Sequence, residues 1–372
     1  MRADAAAPLL AAAAGPGLLR EVIEGAPRGA AGRLLAGGLT GLSWLYRAGL
    51  EINLLGYRLA LLKRARLDAF VVSVGNLTSG GTGKTTAAQL IARALTEAGL
   101  RAAVLSRGHG GRRAGVVSDG ARVLMTAAES GDEPVLTARA LPGVPVLVGK
   151  DRRVSGAHAI REFAARALVL DDGFQYWRLV KDREIVLVDA LNPFGNGRLL
   201  PRGLLREPLG HLRRAHAIWI THADLVEPQA LEALRERLRA LHPHAAFALA
   251  RHRPTAIREP GGDAEIPLDS LRGLRVLALS SIGNPTAFEM TVQRLGAAVT
   301  PLRFPDHHPY SSRDLEAVFA RAGSRVVLTT EKDAVRLPAC RGPVPVWVLS
   351  VEMELDPPEA VSQLVRDAGD RR

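Results

Sequence analysis

Short apolar segments rich in β-branched residues alternate with longer amphipathic segments between Phe70 and about Leu225. The apolar segments read FVVSV, RAAVLS, VPVLVG, ALVLDD, EIVLVDA and HAIWITHADL. Strands that alternate with helices in this way form a mostly parallel, doubly wound sheet whose loops gather at the carboxyl ends of the strands. The pattern therefore predicts an α/β protein with its functional loops along one edge of the sheet.

A second, shorter α/β pattern follows a stretch rich in Pro and Gly, HRPTAIREPGGDAEIPLDSLRG. Its apolar segments are LRVLALSSIGNP, RVVLTTEKDAV and PVPVWVLSV. We therefore predict four parts: an N-terminal segment over 1–68, a core over 69–246, an interdomain linker over 247–270 and a smaller C-terminal α/β domain over 271–372.

The N-terminal segment contains an uncharged run over 34–46 and ends in a basic cluster near residue 66. This run is shorter than the roughly 20 residues that a membrane-spanning helix needs. Trp44, Tyr46 and Tyr57 lie beside leucines and arginines, which is typical of a helix in the membrane interface. The alternative is an ordinary amphipathic helix packed on the core.

The chain is strongly basic, with 49 Lys and Arg against 38 Asp and Glu and a net charge of +11. Such a balance is typical of proteins that bind nucleic acid or anionic membranes. Arginine dominates together with Ala, Gly and Leu, which indicates GC-rich coding, so we expect no nucleic-acid partner. In this background Lys84 and Lys332 are candidates for chemistry that arginine cannot perform. A single cysteine, Cys340, excludes an internal disulfide and favours a reducing, cytosolic setting.

The strongest motif is a glycine-rich turn, GNLTSGGTGKTT, between an apolar strand and a helix. Glycines let backbone N–H groups converge on a phosphate, and the helix that follows adds the positive end of its dipole. Lys84 would reach the β- and γ-phosphates of ATP, and the Thr85 hydroxyl would bind Mg²⁺. Thr78 replaces the first glycine of the usual P-loop, and the alternative is a turn that only starts a helix. The predicted nucleotide-binding residues here are Asn76, Thr78, Ser79, Gly80, Gly81, Thr82, Gly83, Lys84, Thr85 and Thr86.

Acidic and basic side chains follow other predicted strands. Asp171 and Asp172 end the strand ALVLDD, where carboxylates can meet the Mg²⁺ of a P-loop, although an Asp-Asp-Gly turn is also common. Two basic stretches, SRGHGG and GNGRLLPRGLLREP, carry arginines that can grip phosphates, and Glu207 would lie near the metal. SGDEPVL and FPDHHPY add acids and histidines without the spacing of a zinc site.

Taken together, these motifs resemble the tetraacyldisaccharide 4′-kinase family. GNLTSGGTGKTT, LSRGHGG, GDEPVL, LDDGFQ, GNGRLLPRGLLREP, SIGNP, FPDHHPY and TTEKDAV occur in the family's order over about residues 38–351. The resemblance implies two α/β/α units joined by a β linker, with an N-terminal membrane-associating helix. It also implies transfer of the γ-phosphate of ATP, with Mg²⁺, to the 4′-hydroxyl of a tetraacylated glucosamine disaccharide 1-phosphate at the cytoplasmic face of the inner membrane.

The resemblance also implies roles for particular residues. Asp132 is similar to the family's catalytic aspartate and His307 to its histidine partner. His109 and Tyr176 depart from the Tyr and His common in the family at these positions. The other implied site residues are the Walker B acids Asp171 and Asp172, the polar groups Gln175 and Arg206, and the metal-site acid Glu207.

Two other classes of P-loop protein fit the motifs less well. Membrane-cycling ATPase switches carry a lysine just before the paired glycines, where this chain has Ser79. A GTPase needs a residue between Lys and Asp in its N-K-x-D or T-K-x-D motif, but Lys332 directly precedes Asp333. The kinase is therefore the favoured interpretation.

Overall fold

The computed structural model describes residues 16–23, 25, 27–262, 264–323, 325–338 and 342–370. Residues 1–15 of the predicted N-terminal segment and Cys340 lie outside the described residues. Within the described part, thirteen strands form one sheet. The strands are β1 Phe70–Asn76, β2 Ala102–Ser106, β3 Gly115–Ser118, β4 Val146–Val148, β5 Ala167–Asp171, β6 Arg183–Asp189, β7 Ala217–Thr221, β8 Ala246–Arg258, β9 Glu265–Ile266, β10 Arg275–Ser280, β11 Ala298–Arg303, β12 Val326–Thr330 and β13 Val346–Asp356.

Helices cover the sheet and connect most of its parallel strands. The α-helices are α1 Pro16–Ile23, α2 Gly29–Arg58, α3 Lys84–Glu97, α4 Ala127–Ser130, α5 Asp132–Ala140, α6 Arg152–Phe163, α7 Pro228–Leu241, α8 Pro285–Arg294, α9 Ser312–Ala322, α10 Glu331–Ala334 and α11 Glu359–Gly369. Short 3₁₀ turns cover Leu209–Arg214, Ala223–Leu225 and Leu268–Leu271.

The strand order is β11-β10-β12-β13-β8-β7-β6-β1-β5-β2-β4-β3, with β9 paired to β8. Most neighbours are parallel, which confirms the predicted α/β class; β13–β8, β3–β4 and β8–β9 are antiparallel. The long antiparallel β8–β13 pair lies in the middle of this order. It joins β10, β11 and β12 on one side of the sheet to β1–β7 on the other. β8 and β9 fall in the predicted linker, and the division into domains stays a prediction.

The strand β1 is buried along its whole length between β5 and β6. Its register places Val74 beside Asp171, so the carboxyl ends of β1 and β5 meet at one edge of the sheet. Functional loops in open α/β sheets lie at this edge. The glycine-rich turn and the paired aspartates are therefore neighbours, as the sequence pattern predicts.

Four strands are absent from the apolar segments of the sequence prediction: β8 and β9, where only the family resemblance implied a β linker, and β3 and β11. β3 has only four residues and pairs with an irregular register. β11 contains Pro301 and lies at the sheet edge, where a missing N–H is tolerated. Neither has the continuous apolar run that identifies a buried parallel strand.

The helix α2 buries one side and exposes another. Gly32, Ala36, Leu39 and Ser43 are buried at a spacing of three to four residues. Trp44 is 64 % exposed and Leu45 67 % exposed on the remaining surface. Within the described residues, the structure contains no helix that combines the length and apolar character needed to cross a membrane.

Candidate active site

The loop between β1 and α3 needs glycine for two reasons: a left-handed backbone conformation and the close approach of neighbouring segments. Gly83 has a φ of +81°, in the left-handed region that favours glycine. A Cβ there would lie 2.8 Å from the His252 ring, and a Cβ at Gly81 would lie 2.9 Å from the backbone nitrogen of Asn284. The loop is therefore approached closely by β8 and by the SIGNP turn, as well as opening α3.

Side-chain and backbone hydrogen bonds fix the same loop. The Asn76 amide nitrogen donates to the Thr82 hydroxyl oxygen at 2.9 Å, and the Thr86 hydroxyl donates to the Gly83 carbonyl at 2.8 Å. The Ser79 N–H donates to the Leu204 carbonyl at 2.8 Å. The loop is thus held in place before any phosphate binds.

The paired aspartates lie beside the start of α3. Thr85 donates from its hydroxyl to Asp171 Oδ2 at 3.4 Å. Arg206 donates from both terminal nitrogens to the two carboxylate oxygens of Asp172, at 2.7 and 2.9 Å. The Lys84 ammonium is 3.9 Å from Asp172 Oδ1. The structure therefore brings together five residues that the sequence analysis placed in one site.

Burial and charge move the pKa values of the two aspartates in opposite directions. Burial, with the nearby Glu133 and Asp172 carboxylates, raises the pKa of Asp171 to about 7. Burial also raises the pKa of Asp172, but Lys84 and Arg206 outweigh it and hold that pKa below its usual range. Lys84 and Arg152 do not cancel the effect of burial at Asp171, so this carboxylate is the one here that a bound cation would stabilise most.

An aspartate and a histidine from distant parts of the chain meet next to these residues. Asp132 begins α5 and is 5 % exposed, and its Oδ2 lies 3.1 Å from His307 Nδ1. The two residues are 175 positions apart. The His307 contact and neighbouring cations outweigh burial and lower the pKa of Asp132 to about 2. The contact with Asp132 raises the pKa of His307.

Lys332 lies between the Asp132–His307 pair and Glu133, which is close to Asp171. Its ammonium lies 2.9 Å from Glu133 Oε1 and 3.5 Å from His307 Nε2. Glu133 is also one of the acids that raise the pKa of Asp171. The aspartate–histidine pair and the paired aspartates thus belong to one electrostatic network.

Other predicted residues have partners that refine their roles. Gln175 donates from its amide nitrogen to the Asn76 carbonyl at 2.9 Å. Glu207 is fully buried and accepts from Arg214 at 2.6 Å, with His211 Nδ1 at 2.8 Å. These contacts engage the Glu207 carboxylate with His211 and Arg214, and its metal role stays a prediction.

The two positions that depart from the family pattern also have clear contacts. The His109 ring lies 5.2 Å from the His307 ring, centroid to centroid. Tyr176 donates from its hydroxyl to Asp151 Oδ1 at 2.7 Å. His109 is therefore beside the aspartate–histidine pair, whereas the Tyr176 hydroxyl is committed to the start of α6.

Sequence reasoning missed a histidine layer behind the glycine-rich loop. His252 Nε2 lies 2.9 Å from the Thr86 hydroxyl, and its ring stacks on His222 at 4.7 Å. Burial, with His222 beside it, lowers the pKa of His252 to about 3. His222 Nδ1 lies 2.8 Å from Asp189, which also accepts from the Asn284 amide at 2.7 Å. In the sequence, only Asn284, which belongs to the SIGNP motif, pointed to this group of residues.

A P-loop, paired aspartates at the end of the adjacent strand and a buried aspartate–histidine pair define a P-loop kinase. A sequence model of the family described as tetraacyldisaccharide-1-P 4′-kinase (LpxK) matches residues 35–368. The chain belongs to that family.

Similar proteins agree with this assignment. The tetraacyldisaccharide 4′-kinase of Anaeromyxobacter dehalogenans strain 2CP-C is 49 % identical over 298 residues, which cover 78 % of this chain and 79 % of that protein. The tetraacyldisaccharide 4′-kinase of Syntrophus aciditrophicus is 41 % identical over 87 % of this chain and 90 % of its own length. The crystal structure of LpxK from Aquifex aeolicus in complex with ATP matches with a TM-score of 0.71 and 30 % identity, covering 90 % of this chain and 99 % of that one.

Proposed function

We propose that this chain transfers the γ-phosphate of ATP to the 4′-hydroxyl of a tetraacylated glucosamine disaccharide 1-phosphate, a step in lipid A biosynthesis. The observation that carries the proposal is the 3.1 Å contact between the buried Asp132 and the half-buried His307. A carboxylate that can accept a proton is needed for a hydroxyl acceptor, whereas a nucleotide switch needs none. Family membership supports the identity of the lipid acceptor.

The nucleotide would lie on the loop from Asn76 to Thr86. The backbone N–H groups of Gly80 to Gly83 and the start of α3 suit the β- and γ-phosphates, and Lys84 adds a positive charge. Arg206 and Lys84 both contact Asp172, so their side chains lie close together. Both cations could therefore offset the negative charge of the phosphates. The same sites supply electrostatic stabilisation during transfer.

The residues near Asp171 fit a magnesium ion. Thr85 and Asp171 offer hard oxygen ligands 3.4 Å apart, and Asp172 adds a second carboxylate nearby. Among the described residues, no three His, Cys, Asp or Glu side chains are grouped to hold a metal on their own. ATP phosphate oxygens would complete the shell, and the bound ion would offset negative charge on the transferring group.

The transfer step needs one proton acceptor and one leaving group. Asp132 would take the proton of the 4′-hydroxyl as that oxygen bonds to the γ-phosphorus. The bond between the γ-phosphorus and the β–γ bridging oxygen breaks, and ADP leaves. His307 would orient the Asp132 carboxylate through the 3.1 Å contact and stabilise its charge.

Contact with the membrane would occur through α2. Its exposed surface carries Trp44 and Leu45, and the Arg47 guanidinium lies 5.9 Å from the Trp44 ring centroid. Aromatic, leucine and arginine side chains together suit the boundary between headgroups and acyl chains. We assign this surface to the cytoplasmic face of the inner membrane, where a basic helix meets anionic lipid.

A turnover assay with ATP and Mg²⁺, with and without the acylated disaccharide 1-phosphate, tests the proposed reaction. We expect ADP release to depend on the lipid and to be lost in Asp132→Asn. Asp306→Asn is the matched control, because Asp306 is 41 % exposed and 3.8 Å from His307. Equal ATP hydrolysis without lipid would instead favour an ATPase switch.

A further inference from the structure

The TTEKDAV motif ends one residue before an arginine that the proposed reaction does not use. Arg336 follows α10 by two residues, and its Nε lies 3.3 Å from Asp132 Oδ2. We infer that Arg336 is a positioning residue that fixes the Asp132 carboxylate for phosphoryl transfer. This inference rests on the proposed role of Asp132 as the proton acceptor.

Both oxygens of the Asp132 carboxylate are held. Oδ2 is hydrogen-bonded with His307 Nδ1 at 3.1 Å and forms an ion pair with Arg336 Nε at 3.3 Å, while the Nε–H of Arg336 donates to the Lys332 carbonyl. Oδ1 accepts from the backbone N–H of Glu133 at 2.9 Å. A carboxylate fixed at both oxygens has little rotational freedom, so its orientation is set before the acceptor hydroxyl arrives.

Arg336 is better anchored than His307. Its side chain is 10 % exposed, whereas that of His307 is 30 % exposed. The guanidinium donates to Asp333 Oδ1 at 2.8 Å, to the Ser281 carbonyl at 3.2 Å and to the His308 carbonyl at 3.3 Å. Because these contacts come from three segments, the position of Nε does not depend on Asp132.

The buried partner of Arg336 explains why an arginine stands here. Asp333 is fully buried and accepts from the Ser281 backbone N–H at 3.0 Å and from the Tyr310 hydroxyl at 3.1 Å. Arginine can donate to Asp333 from a terminal nitrogen and to the Lys332 carbonyl from Nε at 3.3 Å, and its planar charge still lies 3.3 Å from Asp132 Oδ2 as an ion pair. A lysine has a single charged nitrogen and cannot reach both in this way.

Arg336 also affects the pKa of Asp132 through its charge. The charged groups around its carboxylate are His307 from the loop after β11, Lys332 and Arg336 from α10 and the residues after it, and Glu133 from α5. An opposite charge within about 4–6 Å lowers a carboxylate pKa by about 1–3 units. Loss of Arg336 therefore raises the pKa of Asp132, and the acidic limb of the pH–rate profile moves to higher pH.

A purely structural role predicts a different result. If Arg336 only neutralises Asp333, its loss lowers the melting temperature and leaves the shape of the pH–rate profile unchanged. Asp333→Asn/Arg336→Met removes both charges of the buried pair and limits the folding penalty. Asp333→Asn alone is its matched control, because this variant keeps the cation beside Asp132.

The experiment measures kcat for lipid phosphorylation from pH 5 to 8 in wild type, Arg336→Met, Arg336→Lys, Asp333→Asn, the double variant, Asp132→Asn and the exposed-arginine control Arg313→Met. We expect kcat to fall about 10- to 100-fold in Arg336→Met and the double variant, with the KM for ATP changed less than about twofold. Because the pKa of Asp132 is about 2 with Arg336 present and rises by about 1–3 units without it, the loss relative to wild type should grow only at the acidic end of this range, by no more than about twofold at pH 5. Arg336→Lys should recover part of kcat and the wild-type pH profile.

The possible outcomes separate this inference from the proposed function. If Asp132→Asn is inactive but the double variant matches Asp333→Asn at every pH, Arg336 does not position Asp132 and the inference is overturned. If Asp132→Asn keeps wild-type activity, the proposed role of Asp132 fails and the inference fails with it. Arg313→Met should match wild type throughout.

Discussion

The contact between Asp132 and His307 makes a quantitative prediction for a double-mutant cycle. Asp132→Asn removes the proton-accepting charge, and His307→Ala removes its partner. General-base contributions are about 10²- to 10⁴-fold, so each single variant should lower kcat at least about 100-fold with a modest effect on the KM for ATP. Residues that act as a unit are not additive, so the double variant should be scarcely worse than the poorer single one.

The expected coupling follows from the geometry. The two side chains are 3.1 Å apart, and the lowered pKa of Asp132 keeps its carboxylate ionised, so the hydrogen bond is charge-assisted. Such a bond contributes about 1.5–3 kcal/mol, or roughly 10- to 150-fold, and a coupling at the upper end of this range makes the double variant scarcely worse than a single variant with a roughly 100-fold loss. Rapid-quench measurement of phosphorylated lipid at saturating ATP gives kcat for all four proteins.

A neighbouring histidine provides the control for this cycle. His308 Nε2 lies 3.3 Å from Asp314, so His308→Ala should lower kcat far less than His307→Ala. Losses that multiply to about 10⁴-fold in the double variant would refute the reasoning, because they would show two independent contributions.

Three further changes test other parts of the site. Lys84→Ala should abolish turnover at an unchanged melting temperature, because Lys84 would bind phosphate and is not part of the apolar core; wild-type turnover would refute the P-loop assignment. Tyr46→Phe removes the 2.7 Å bond from α2 to the Arg206 carbonyl. It should lower kcat by about twofold to tenfold without changing vesicle binding, and an unchanged kcat would show that α2 does not support the Arg206 loop. Trp44→Ala should weaken binding to anionic vesicles while kcat on detergent-dispersed lipid stays the same; unchanged vesicle binding would move the membrane contact elsewhere.

The parts of the fold and site that sequence predicted are those with a local signal. Apolar runs predicted the central strands, and glycine next to Lys84 predicted the turn that opens α3. Asp171 follows a buried strand directly, so its place at the carboxyl edge also follows from the pattern. The contact of Asp132 with His307 came from the family resemblance, since no local pattern links residues 175 positions apart.

The parts that sequence missed depend on contacts between distant segments. His252 lies on a strand with mixed polar and apolar residues, and only the fold places its ring against Gly83. Arg336 is one of many arginines in a basic chain, so the composition does not identify it as a site residue. Glu207 shows the reverse case: its neighbour Arg206 reaches Asp172, while its own carboxylate turns to Arg214 and His211.

Mass spectrometry of the lipid product tests the central claim most directly. The purified chain is incubated with ATP, Mg²⁺ and a tetraacylated disaccharide 1-phosphate, and fragmentation locates the added phosphate. We predict a gain of one phosphate on the sugar that carries the 4′-hydroxyl, lost in Asp132→Asn. An unmodified lipid with ATP consumed, or a phosphate added elsewhere, would contradict the account.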